Sequence, residues 1–226
     1  MNDTGGVSER GKLWLELSGV TKRFGEDLVL KETNLSLEAG CVYGIVGNNG
    51  SGKTVLMKCI CGFLTVSTGT VRVFGSRIGK DTDFPESLGV IIETPGFLTN
   101  LTGRRNLEIL ADMRRKITKA DVRIVLRKVG LDPDDKRTFR KYSLGMKQRL
   151  GIAAAIMENP DIVILDEPIN ALDDSGAELV RSILWELRDN GSLIMLACHD
   201  TDELRYLSDE IYTLNEGRIT EKIVDA

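Results

Sequence analysis

This sequence predicts an α/β fold with a mostly parallel sheet, an antiparallel β layer near the N-terminus and an inserted helical segment. Three observations lead there. Continuous apolar runs of strand length, CVYGIVG (41–47), IVIL (162–165) and LIMLAC (193–198), are separated by helical patterns, as when buried parallel strands alternate with covering helices. Ahead of them, LWLEL (13–17) and NLSLEAG (34–40) alternate apolar and polar residues, the period of a half-buried antiparallel strand. Between about 102 and 141 the strand signals stop and only helical stripes remain.

In chain order, residues 1–11 read as a loose polar tail, and LWLEL and, after LVLKET, NLSLEAG read as half-buried antiparallel strands. CVYGIVG is a strand running into a glycine-rich turn, followed by a helix to about Gly62. TVRVFG and LGVIIE are two further strands. Leu107, Leu110 and Ala111 make one helical stripe, and Val122, Val125, Leu126 and Val129 make another at i, i+3, i+4, i+7. From 103 to 141 there are 13 Lys or Arg against 6 Asp or Glu. A solvated helical face accounts for this excess; the alternative is a face near an anionic lipid leaflet, where each basic residue is worth about 1 kcal/mol.

YSLGMKQR (142–149) has the form of a helix start, with Ser143 able to cap it. Such an end presents free N–H groups and attracts phosphate. Beyond it come strand IVIL, a helix with Val180, Ile183, Leu184 and Leu187 on one face, strand SLIMLAC and a short helix. EIYTL and RITEKIV follow, joined at NEG. The expected organisation is one domain over 1–226: a core of 1–101 and 142–226, with a helical subdomain at about 102–141.

The bulk figures narrow the function. A chain of 226 residues with net charge −4 gives no chain-wide argument for nucleic acid, so no nucleic-acid partner is expected. The longest apolar runs fall far short of the ~18–20 residues of a membrane span. The polar start lacks the apolar core of a secretory signal, which predicts a cytoplasmic location. Cys41, Cys59, Cys61 and Cys198 form no C-x-x-C pair and share the chain with one histidine, which argues against a zinc site. Buried free thiols in a reducing compartment are expected instead.

GNNGSGKT, Gly47 to Thr54, fits G-x-x-x-x-G-K-[ST] at every position, after a strand and at the start of a helix. The loop Gly47, Asn48, Asn49, Gly50, Ser51, Gly52 can wrap its N–H groups around phosphate oxygens because glycines remove Cβ clashes. Lys53 is placed to reach the β- and γ-phosphates of ATP, and Thr54 to offer its hydroxyl to Mg²⁺. DIVILDEP (161–168) is a buried strand delivering two acids, Asp166 for the Mg²⁺ shell and Glu167 to polarise the attacking water.

A P-loop, then a Ser-x-Gly helix start shortly before an acidic strand, resembles the ATP-binding cassette (ABC) family over nearly the whole chain. The resemblance implies a P-loop NTPase core and two nucleotide domains paired head to tail. Each one's signature helix then meets the γ-phosphate of the ATP held by its partner. Ser143, Leu144, Gly145 and Met146 occupy the signature, with Leu144 where the family usually has glycine and Met146 where it usually has glutamine. Further positions follow from the likeness alone. Phe24 stands where an aromatic stacks on adenine, a core phenylalanine being the alternative. Asp173 in NALDD is the acid of the loop crossing the dimer interface, with Asp174 replacing a usual proline. His199 stands at the switch histidine that contacts the γ-phosphate.

In GVIIETPGF, Glu93 replaces a glutamine that ligates Mg²⁺ and the attacking water. Its extra charge near the triphosphate requires an offset, expected from Mg²⁺ and Lys53. Together with SLGMKQRLGIA and NLTGRRNL, this substitution resembles the exporters of bacitracin and lantibiotic peptides. The implied protein is the ATPase subunit of a membrane exporter, held at the inner face of the cell membrane by separate permease subunits, and paired with an identical or homologous second ATPase. The rival reading is a soluble ATPase of the same type acting on nucleic acid, ribosomes or cofactor assembly. Coiled coils or a second cassette would mark it.

Overall fold

The structure, a computed structural model, describes residues 13–93, 95–199 and 201–224; the polar segment 1–11 lies outside them. Strands β1 (Leu13–Phe24) and β2 (Asp27–Glu38) form an antiparallel hairpin with Glu16 opposite Ser36 and Leu17 opposite Leu35. Their alternation buries Leu15, Leu17, Leu35 and Leu37 on one face. Next come β3 (Val42–Val46), α1 (Lys53–Ile60), β4 (Thr68–Val73), β5 (Ser76–Arg77) and β6 (Leu88–Ile91). Helices α2 (Gly103–Arg114) and α3 (Lys119–Lys128) and a 3₁₀ turn at Phe139–Lys141 fill the segment without strand signals. The chain continues through α4 (Leu144–Ile156), β7 (Ile162–Asp166), α5 (Asp174–Asp189), β8 (Leu193–Cys198), α6 (Thr201–Leu207), β9 (Glu210–Asn215) and β10 (Arg218–Val224). The two-residue β5 had no signal of its own in the sequence.

One sheet has the order β2-β1-β4-β5 and is antiparallel; the other has the order β10-β9-β3-β8-β7-β6. In the second, every pairing from β9 across to β6 is parallel, and only β10 runs antiparallel to its neighbour. The parallel strands read as unbroken apolar runs because both of their faces are covered. Val163, Leu165, Ile194 and Leu196 face one core with Leu107, Val122, Leu126, Leu150, Val180 and Leu184. Ile162, Ile164, Leu193 and Met195 face the other with Leu15, Leu37, Leu56 and Met57. Each such leucine contributes about 1.5–3 kcal/mol on burial. The helices at 102–141 thus share one core with α4 and the sheet.

Cys59, Cys61 and Cys198 are buried and Cys41 is half-buried. Burial pushes the Cys59 thiol up to about 11 and Cys61 up to about 12, as expected of thiols serving as small hydrophobes. No helix among the described residues is long and apolar enough to cross a membrane.

Because β3, β7 and β8 are parallel neighbours, their C-terminal ends open on one edge of the sheet. That edge is where ligands of open α/β sheets bind.

Candidate functional site

The loop from Gly47 to Gly52 joins β3 to α1. A Cβ on Gly47 would run into the Leu214 carbonyl, so only glycine lets the loop pack on the end of β9. Gly52 caps α1 at φ 109°, which a side chain would resist. The turn between β9 and β10 braces the loop through Gly217 N–H donating to the Ser51 carbonyl at 3.0 Å. Lys53 lies back across the loop, its Nζ donating to the Gly47 carbonyl at 2.5 Å and to the Asn48 carbonyl at 3.3 Å. Ser51 Oγ is buried with no hydrogen-bond partner among the described residues, a hydroxyl left over for an incoming oxygen.

Beside the loop, Thr54 Oγ1 donates to Asp166 Oδ2 at 2.9 Å. Burial raises the Asp166 pKa above the usual carboxylate range; Glu167 and Glu93 push the same way, and Thr54 and Lys53 oppose. Glu167 Oε1 lies 3.0 Å from His199 Nδ1. The other oxygen, Oε2, is buried with no hydrogen-bond partner among the described residues. The Glu167 backbone is left-handed, at φ 50°. Two contacts hold it there: its N–H donates to the Ala197 carbonyl at 2.9 Å, and Gln148 Nε2 donates to the Glu167 and Pro168 carbonyls at 3.3 and 3.0 Å. Gln148 escaped the sequence reading, whose only cue was its place in a helix start. A cavity of about 870 Å³, lined by Asn48, Asn49, His199, Thr201 and Arg205, opens beside these groups.

The remaining candidates lie elsewhere. Ser143 caps α4, its Oγ accepting from Met146 N–H at 3.2 Å. Leu144 is 69% exposed, Met146 packs against the core, and a Cβ at Gly145 would sit 3.0 Å from the Ala171 carbonyl. Asp173 caps α5, accepting from Gly176 N–H at 3.0 Å, and Asp174 opens that helix. Phe24, 42% exposed at the end of β1, has the Lys22 ammonium 4.8 Å from its ring centre and is no core phenylalanine. Glu93 turns its carboxylate to Lys58 Nζ at 2.7 Å. That lysine, on α1, offsets a charge the sequence reading had left to Mg²⁺ and Lys53.

Comparison with known proteins identifies the family. The family model described as ABC transporter matches residues 30–170. The bacitracin transport ATP-binding protein BcrA of Enterococcus faecalis is 44% identical over 92% of this chain and 68% of its own length. The lantibiotic transport ATP-binding protein SrtF of Streptococcus pyogenes is 35% identical over 91% of this chain and 88% of its own. A solved ATP-binding subunit of an ABC transporter superposes with TM-score 0.85 at 25% identity, covering 93% of this chain and 90% of that one. A cassette solved as a dimer in a post-hydrolysis state with ADP and Pi has the same fold at TM-score 0.83 and 23% identity, covering 93% of this chain and 98% of that one. These likenesses show that the chain belongs to the ABC transporter family, as a subunit that binds and hydrolyses ATP.

Proposed function

We propose that this chain powers export of an antimicrobial peptide or another amphiphile through separate permease subunits, working as one half of a head-to-tail ATPase pair at the inner face of the membrane. The observation that carries the reading is the cluster at the strand ends: Thr54 on Asp166 at 2.9 Å, and Glu167 on His199 at 3.0 Å, beside the loop Gly47–Thr54. Peptide export rests on the names of the bacitracin and lantibiotic relatives, together with Glu93.

In this reading ATP stacks its adenine on Phe24 and lays its phosphates along Gly47, Asn48, Asn49, Gly50, Ser51 and Gly52. Lys53 leaves its carbonyl partners for the β- and γ-phosphates. Thr54 and Asp166 are hard oxygen donors already side by side, and the half-buried Asp166 carboxylate has a raised pKa that a cation would relieve. They fit Mg²⁺, with Glu93 as a further oxygen donor for it. When bound, the ion neutralises charge on the β- and γ-phosphates. Glu167 takes a proton from the water that attacks the γ-phosphorus, and ADP leaves. His199 orients Glu167 and contacts the γ-phosphate. The second chain's Ser143, Leu144, Gly145 and Met146 close over the γ-phosphate from the N-terminal end of α4, with Asp173 at the interface. The unit is a core of 1–101 and 142–226 with a helical subdomain at about 102–141. A groove lined by Phe63, Ile92, Glu93, Pro95, Phe97 and Gly151, about 220 Å³ in volume, receives the permease.

Glu167→Gln tests the mechanism. It should cut hydrolysis by roughly 10²–10⁴-fold, the range of a lost general base, while keeping ATP affinity and trapping an ATP-bound dimer. Ordinary turnover in this variant removes Glu167 from its role. Copurification from detergent-solubilised membranes tests the permease partner, and peptide accumulation in cells lacking the chain tests the cargo.

A further inference from the structure

The pairing register of β7 and β8 sets Asp166 opposite Ala197, so one residue further on Glu167 comes level with Cys198, and His199 follows. A carboxylate oxygen of Glu167, the Cys198 sulfur and a ring nitrogen of His199 all lie within 4.8 Å of one another. Cys198 is buried at the strand end, and His199 is 61% exposed at the mouth of the large cavity. Glu167 Oε2 has no hydrogen-bond partner among the described residues. Cysteine spacing argued against zinc, but spacing reveals only sites whose ligands are close in sequence. Here two neighbouring strand ends bring one carboxylate, one thiol and one imidazole together.

We propose that Glu167, Cys198 and His199 form a second metal site, selective for Zn²⁺ and inhibitory. Zn–S near 2.3 Å and Zn–N or Zn–O near 2.0 Å in a tetrahedron put ligand atoms about 3.3–3.5 Å apart. The three ligand atoms lie within 4.8 Å of one another, so side-chain rotation has only about 1 Å to close. The set has three protein ligands, leaving the fourth position to water from the cavity, the pattern of an open rather than a structural zinc site. Thiolate and imidazole prefer Zn²⁺, whereas Mg²⁺ keeps to oxygen donors such as Thr54 and Asp166, so the two ions do not compete for the same groups.

On binding, the Cys198 S–H proton passes to solvent as the Zn–S bond forms; the His199 proton shared with Glu167 moves through solvent from Nδ1 to Nε2, and the freed Nδ1 and carboxylate oxygen become the other two ligands. Glu167 can then accept no proton from water, and His199 no longer reaches phosphate. This inhibitory consequence rests on the catalytic reading of both residues; the binding itself does not.

Co²⁺, a spectroscopic stand-in for Zn²⁺, is titrated into the nucleotide-free full chain. The expected result is a near-ultraviolet thiolate-to-cobalt absorption, lost in both Cys198→Ser and Cys198→Ala while their Mg-ATPase rate is kept. In a parallel assay at fixed Mg-ATP, Zn²⁺ should inhibit the unaltered chain, and Cys198→Ser should need at least about tenfold more Zn²⁺ for the same inhibition. No thiolate band, or one that survives both substitutions, overturns the site. Equal zinc sensitivity in both proteins overturns the inhibitory role, since bulk Zn-ATP formation acts on both alike. A Cys198-dependent band with hydrolysis untouched at saturating Zn²⁺ overturns the inhibitory role, and counts against the catalytic assignment of Glu167 and His199.

Discussion

Glu93 and Glu167 both stand on left-handed backbone, at φ 66° and 50°, a conformation costing non-glycine residues about 1–3 kcal/mol. Glu167 is held there by Ala197 and Gln148. Glu93 instead presents its carboxylate to Lys58, in a pair whose side chains are 28% and 66% exposed for Lys58 and Glu93. At that exposure the contact adds little stability. Its consequence is electrostatic, because Glu93 is among the charges that raise the Asp166 pKa. Lys58→Gln should therefore raise KM for Mg-ATP about two- to fivefold, the reach of a partly exposed pair. Adding Glu93→Gln to that variant should return KM to near its starting value. If the double variant binds as poorly as the single one, Lys58 acts through something other than charge. The acid was legible as a departure from a family pattern; its partner was not, since nothing in a linear chain pairs position 58 with position 93.

At the scale of elements, α4 carries more than its sequence announced. The Ser143 cap was read from Ser-x-Gly and is present. Gln148 on the same helix reaches across to the carbonyls that follow β7, tying the signature helix to the loop bearing Glu167. Gln148→Ala should destabilise the fold by about 1–2 kcal/mol through two lost hydrogen bonds. It should also lower kcat more than it raises KM, and unchanged kcat in folded protein would sever that link. A simpler element closes around β5, where Arg77 donates its backbone N–H, Nε and Nη2 to Asp81. Those hydrogen bonds hold the Asp81 carboxyl down at about 2, below its ordinary 3.8. The folded value is depressed, so the contact is complete above pH ~3.8 and is lost as pH falls through about 2. Carboxyl NMR titration should show this low value move up toward the ordinary one in Arg77→Ala.

At the scale of the whole molecule, one chain brings together only some of the candidate residues. Gly47–Thr54, Asp166, Glu167 and His199 converge, while Ser143 spends its hydroxyl on capping α4 and Asp173 on capping α5. If the γ-phosphate is closed over by a second chain, two inactive variants should rescue each other. Lys53→Ala and Ser143→Arg, each without activity alone, should regain ATP hydrolysis when mixed, because one pocket of the mixed pair then carries neither substitution. No regain in a mixture shown to form mixed pairs would place Ser143 within its own chain's site. By itself the sequence determined the elements other than β5 and pointed to a chemistry for single motifs. Those depend on local periodicity, on caps and on glycines at fixed offsets, which lie within a few residues of one another. Which distant side chains meet was decided only by tertiary structure: Lys58 with Glu93, Gln148 with the Glu167 loop, and Cys198 level with Glu167. Those meetings depend on sheet register and on helix placement over the shared core, and packing settles both between residues tens of positions apart.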